Sequence, residues 1–191
     1  MMKKIFLTLI FIAGMTVSAA IYFPLTEAGR YALSFGHRML EGMGMDLTYS
    51  DVSGNDGRIT VDNVRLTGMT EITFTSLTLK PEVMTSILTF SPVCNVEFKG
   101  CNVRFGQNLN IGDGALMLTA GRDEILLENL RTNGEFSING WLTLDRASNK
   151  IGRAEALLTV PESFEGSMDM LKNFLPLVNE GGRWYLRRNG K

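Results

Sequence analysis

The chain has 191 residues, 45% of them hydrophobic, and a formal net charge of −1. That length holds one domain plus an appendage or two small domains, and the near-neutral charge excludes a general basic field for nucleic acid. One histidine, His37, and two cysteines, Cys94 and Cys101, leave little material for a zinc site or for acid–base catalysis.

"MMKK" precedes "IFLTLIFIAGMTVSAAIYF", 19 residues from Ile5 to Phe23 without a charge. As a helix the run is about 28 Å long, against a bilayer core of about 30 Å. Ile5, Leu7, Leu9, Phe11, Ile21, Tyr22 and Phe23 are its anchoring residues. Lys3 and Lys4 hold the N-terminus in the cytoplasm, so the remaining chain crosses the membrane, into the periplasm of a bacterial cell. "TVSAA" also offers a signal-peptidase site after Ala19 or Ala20, and Ile5 to Met15 has signal-peptide length. Continued hydrophobicity and the interfacial pair Tyr22–Phe23 favour the uncleaved anchor. Residues 1–25 are therefore read as a cytoplasmic tip and transmembrane helix, and residues 26–191 as one exported domain.

Thr26 can cap a helix starting at Glu27, with Ala28, Ala32, Phe35, Met39 and Met43 at helical spacing and Gly42 and Gly44 as stops. This segment, 26–44, links anchor and body, continuing the anchor outward or lying on the membrane surface. His37 within it has no acidic or thiol partner suggested by spacing and reads as a surface or interfacial residue.

From Met45 the period changes to that of strands. Leu47 and Tyr49 alternate, then the pattern slips to Val52; "GNDG" (54–57) is a hairpin signal. Ile59 and Val61 are followed by a slip to Val64 and Leu66. "TGM" turns the chain, and Ile72 and Phe74 are followed by a slip to Leu77 and Leu79. Side chains alternate faces in a strand, so a slip of one residue either moves the apolar set to the other face or is absorbed by a bulge. If neighbouring strands slip at one level, the sheet bends along a line across them.

"PEVMTSILTF" reads as a short helix with Pro81 at its first position and Val83, Met84, Ile87 and Leu88 on one face. Strands resume with "VCNVEF" and "CNVRF", read as separated by a Lys99–Gly100 turn. "NIGDG" then reads as a turn before "ALMLT" and "EILLENL". Phe136, Ile138, Leu142 and Leu144 share a face around Gly140, and "AEALLTV" is a further strand. A last helix runs from Pro161 to about Pro176 with Phe164, Met168, Leu171 and Leu175 in one stripe. A final strand places Trp184 and Leu186 in phase. The expected fold is mainly β with a few short helices, about nine or ten strands in a bent antiparallel sheet.

In the Lys99–Gly100 hairpin register Cys94 faces Phe105 and Cys101 faces Phe98, so the expected state is two free thiols. Asp51, Asp56, Asp62, Asp113, Asp123 and Asp145 are turn residues; "GNDG" and "NIGDG" lack the alternating ligands of a calcium loop. There is no phosphate loop, serine elbow or HExxH. Arg183, Arg187, Arg188 and Lys191 make the C-terminus basic, as a solvated strand edge or a contact for lipid headgroups.

Several passages carry a family resemblance. The apolar run ends in "FPLTEAGRYAL"; "GMDLTYSDVSG", "GRITVDNVRLTG" and "ITFTSLTLKPEV" follow; "GWLTLD", "AEALLTVPESF" and "GGRWYLRRNG" close the chain. In this order they resemble the type II secretion system protein N family, within the AsmA-like group. The resemblance implies a bitopic inner-membrane protein with a bent periplasmic β domain, a non-enzymatic accessory of type II secretion. Its expected partners are other secretion components and membrane lipid, with no nucleic acid, small-molecule substrate, cofactor or metal. The AsmA-like group implies an alternative, an apolar groove for lipid acyl chains. Ile59, Val61, Val64, Leu66, Ile72, Phe74, Leu77 and Leu79 would line that groove or form a core; alternation alone does not separate the two.

Overall fold

In the computed structural model, the described residues are 25–41, 44–68, 70–105, 107–148, 150–172 and 175–188. The predicted anchor residues, Ile5, Leu7, Leu9, Phe11, Ile21, Tyr22 and Phe23, lie outside them. No helix among the described residues is long and apolar enough to cross a membrane.

Helix α1 (Leu25–Glu41) leads into strands β1 (Asp46–Thr48), β2 (Asp51–Asn55), β3 (Arg58–Thr67) and β4 (Glu71–Pro81). Helix α2 (Val83–Thr89) separates these from β5 (Val93–Phe105), β6 (Gln107–Ala120), β7 (Glu124–Thr132), β8 (Ser137–Asp145) and β9 (Lys150–Thr159). Helix α3 (Glu162–Leu171), β10 (Leu177–Glu180) and β11 (Arg183–Arg188) complete the chain. The strands form one open antiparallel sheet in the order β1-β3-β4-β5-β6-β7-β8-β9-β11-β10, with β2 also paired to β3. Because each hairpin joins sequence neighbours, the sheet is essentially a meander, the topology that short connections favour.

The repeated slip is a crease. Asn63 sits at φ 51° between the pairs Asp62–Ser76 and Val64–Phe74, which places it opposite Thr75 with the register unbroken on either side. Thr75 lies opposite Gly100, between the pairs Thr73–Asn102 and Ser76–Lys99. Gly100 has φ 59°, Gly112 on the next strand has φ 75°, and the β5–β6 register shifts there. On the other side Asn63 Nδ2 donates to Ser50 Oγ at 3.0 Å, where the chain passes from β1 to β2. Each strand absorbs its extra residue beside its neighbour's, so apolar side chains stay on one face. Ile59, Val61 and Val64 are all buried, in one cluster with Leu47 and Val52. The bulge reading of the slip holds over the change of face.

Two core clusters cover that face. The smaller is closed by α1: Leu33 packs against it, and Gly29 lies so close to Ile59 and Val52 that a Cβ there would stand 2.7 Å from Ile59 Cγ2. The larger holds Phe98, Cys101, Phe136, Ala154, Ala156, Trp184 and Leu186, and α3 seats Phe164 and the fully buried Met168 into it. Phe136 and Phe164 meet edge to face at 6.1 Å. Half-buried Phe74 and Leu77 touch both clusters and join them.

Several sequence expectations are corrected. Thr26 lies inside α1 rather than capping it. Pro81 is the last residue of β4, not the first of a helix. Lys99–Gly100 is not a turn: β5 runs through it for 13 residues. "NIGDG" likewise lies within the 14-residue β6. In both places a glycine at positive φ makes a bulge while the strand continues. The four-residue β10, seated against β11 across the Gly181–Gly182 turn, carried no pattern long enough to read.

Candidate functional site

The eight apolar residues of β3 and β4 converge. Ile59, Val61 and Val64 are buried; Leu66, Ile72, Phe74, Leu77 and Leu79 are half-buried beside them. Phe74 meets Phe98 edge to face at 5.7 Å, which carries the surface onto β5. The alternation of β3 and β4 aims these side chains at one face, and the crease keeps them there. This face is occupied at its two ends by α1 and α3, and its middle strands present side chains that are only partly covered.

The opposite face is polar. Thr60 and Thr78 hydroxyls lie 3.3 Å apart across β3 and β4. Arg65 Nε contacts Glu71 Oε1 at 2.8 Å, and Arg104 Nη1 lies 3.9 Å from Glu71 Oε2. Arg65, Glu71 and Arg104, with Thr73, Asn102 and Asn108, line a shallow solvated cleft. Exposed ion pairs of this kind contribute little stability.

His37 is not alone. Its Nε2 is 3.3 Å from Glu41 Oε1, one turn on, and its Nδ1 is 3.6 Å from Asp46 Oδ1 at the start of β1. The i,i+4 spacing to Glu41 was the signal that could have shown this. The imidazole thus sits between the end of α1 and the first strand, with Nδ1 making no hydrogen bond. Among the described residues no group of three or more His, Cys, Asp or Glu side chains is placed to hold a metal ion. At the C-terminal edge Arg187 pairs with Glu180 at 2.7 Å and stacks over Tyr185 at 5.1 Å, whereas Lys191 lies outside the described residues.

A second apolar surface points outward. Val83, Met84, Ile87 and Leu88 on α2 are between 61% and 75% exposed, and Phe90 just after it is 94% exposed. No residue of α2 is buried. Its polar side faces the body instead. Ser86 Oγ donates to Glu82 O at 2.7 Å and accepts the Val93 N–H at 2.8 Å. Asn95 Nδ2 donates to the Glu82 carboxylate at 2.7 Å. Helical periodicity gave the correct apolar face but not its direction, which these tethers set.

Residues 2–188 match the model of the family described as type II secretion system protein GspN-like, Synergistales. The chain belongs to this GspN-like family. No curated protein and no solved structure matches it. The matched residues include the crease, both core clusters and the final hairpin.

Proposed function

We propose that this GspN-like chain is a non-enzymatic accessory component of type II protein secretion. In this reading residues 5–23 hold it in the bacterial inner membrane by a single pass, and residues 26–191 form its periplasmic β domain. The family match over residues 2–188 carries the reading. The charge-free run behind Lys3 and Lys4 supports the membrane placement. A sheet of eleven strands clamped at both ends by helices is a stiff platform, suited to holding partners in register rather than to turnover. The partners proposed are other components of the secretion apparatus; no nucleic acid, cofactor or small-molecule substrate is invoked. In-membrane crosslinking of a tagged full-length chain should capture apparatus proteins, and a deletion strain should secrete less of the exported substrates. Crosslinked membranes that yield no apparatus protein would overturn the reading.

A second reading, an AsmA-like lipid groove, is favoured by one observation. Leu66, Ile72, Phe74, Leu77 and Leu79 are contiguous, apolar and only half-buried. Native mass spectrometry of protein gently extracted from membranes tests it. A co-purified phospholipid lost in a Leu77→Glu variant supports the groove, and lipid-free protein removes it.

A further inference from the structure

Ordinary surface helices turn apolar residues inward and polar residues to water. Helix α2 does the reverse, and its tethers through Ser86 and Glu82 hold it so. The residue that closes it is equally unusual. Phe90 adopts φ 52°, ψ 30°, the left-handed conformation in which helices normally place glycine or asparagine, and its N–H donates to Ser86 O. A large aromatic held in a costly backbone conformation and left in water is retained against both local preferences.

The position of α2 supplies what covers it. Gly29 of α1 lies against Ile59, and Ile59 pairs with Leu79, two residues before the end of β4. Further along α1, His37 reaches Asp46, which pairs with Thr67 at the other end of β3. Helix α1 therefore begins at the end of the sheet that carries α2. The 19-residue uncharged run stops at Phe23, two residues before α1 starts. The run thus joins the domain, in the chain, at the end of the sheet that carries α2.

We propose that α2 and Phe90 insert into the lipid surface of the membrane, beside the point where the chain leaves it, as a second foothold for the β domain. The proposal rests on the membrane-anchor reading above. Neither α2 nor Phe90 carries a cation; the cation beside them, Lys80 at the end of β4, is paired with Glu82 at 3.4 Å, and Glu124 beyond the neighbouring turn is paired with Arg153 at 2.8 Å. Insertion is driven by apolar burial, not by attraction to anionic lipid. Five side chains are far fewer than the roughly 20–30 residues a side of a stable protein interface, which favours lipid over a protein partner. The anchor supplies the high local concentration that makes so small a contact effective. Two attachments also fix the tilt of the sheet above the membrane, which a single flexible link does not.

The test places the photocrosslinker benzoylphenylalanine at three positions of the full-length chain in its native membrane: Phe90, Phe11 in the uncharged run, and Asn108 at the far end of β5 and β6. The expected result is a phospholipid adduct, seen as a mass gain of one lipid, at 90 and at 11 and none at 108. The adduct at 90 should persist in vesicles of phosphatidylcholine alone. A lipid adduct at 11 with none at 90, or a protein adduct at 90, overturns the foothold and leaves the anchor standing. Absence of a lipid adduct at 11 removes the anchor reading and this proposal with it. An adduct at 90 that requires anionic lipid overturns the apolar mechanism.

Discussion

The backbone N–H of Gly100 donates to the carboxylate of Asp113 on the neighbouring strand at 2.8 Å. This bond spans the crease. The Asp113 N–H in turn donates to Asn133 Oδ1 at 2.7 Å, and the Asp113 carbonyl accepts the Asn133 N–H at 3.0 Å. The line of irregular residues that starts at Ser50 and Asn63 is thus continued by side-chain bonds into the β7–β8 connection. The backbone donors at Gly100 and Asp113 each find a side-chain acceptor, as backbone groups freed from a ladder must.

Gly100→Ala should destabilise the domain by roughly 1–3 kcal/mol. Its φ is 59°, and an added Cβ would press on Thr75 Oγ1 and lie 3.1 Å from Thr75 Cβ. Gly181→Ala is the matched control. It has the same φ of 59° with nothing within 4 Å, so its cost is conformational alone. Urea unfolding of the two variants separates contact from backbone strain. Equal losses would show that the crease is not sterically closed at Thr75.

Deleting Asn63 tests the crease as a whole. The side chain period of a strand is two, so removing one residue sends Val64 and Leu66 to the polar face. Val64 is 3% exposed, in the heart of the smaller cluster. The deletion should abolish cooperative unfolding and near-ultraviolet circular dichroism. Asn63→Gly keeps the positive φ and loses only the bond to Ser50, a cost of about 1 kcal/mol. A deletion variant that unfolds cooperatively would mean the slip is decorative.

These two experiments also mark what the chain made legible. The slips at Asn63 and Thr75 were readable because apolar residues on both sides of each reported the same face. Gly100 and Gly112 were misread as turns because a positive φ reverses a chain or merely bulges it according to the partner strand, which local sequence does not contain. Of two strands far beyond the usual five or six residues, the 13-residue β5 therefore reads as two and the 14-residue β6 only from its second half. The eight residues of the apolar face were legible as a set, and the helix pair of His37 and Glu41 was available but missed. The outward direction of α2 was not legible, since it depends on Ser86 finding Val93 across the connection to β5.

Thr143 is the one polar side chain among the buried residues that the structure describes, with no exposed surface, and its Oγ1 accepts the Arg153 N–H at 2.9 Å where the β8–β9 register shifts. Thr143→Val preserves shape and removes the acceptor. It should cost about 1–3 kcal/mol, because the Arg153 N–H is left unpaired inside the sheet. Thr143→Ser keeps the acceptor and should cost less. Thermal unfolding in one buffer ranks the three proteins, and a Val variant as stable as the wild type would assign that N–H another partner.

Cys94 and Cys101 are free thiols on the single strand β5, seven residues and about 23 Å apart, well outside disulfide reach. The expectation of free thiols holds, for a reason other than hairpin register. Burial pushes the Cys101 thiol up to about 11 from an ordinary value of 9.0. Burial also raises Cys94, opposed by a backbone hydrogen bond from Lys80 and reinforced by the charge of Glu82. The unfolded chain releases the Cys101 proton near pH 9 while the native state keeps it to about 11. The native state therefore binds more protons between these values, and stability falls as pH rises through that window. Below pH 9 the contribution is intact. Urea midpoints at pH 8 and pH 10.5 should drop further for the wild type than for Cys101→Ala, which lacks the group. Alkylation should follow the same order, with half-buried Cys94 modified first and Cys101 only on unfolding. Parallel pH profiles for the two proteins would show that the Cys101 thiol is in contact with water in the native sheet.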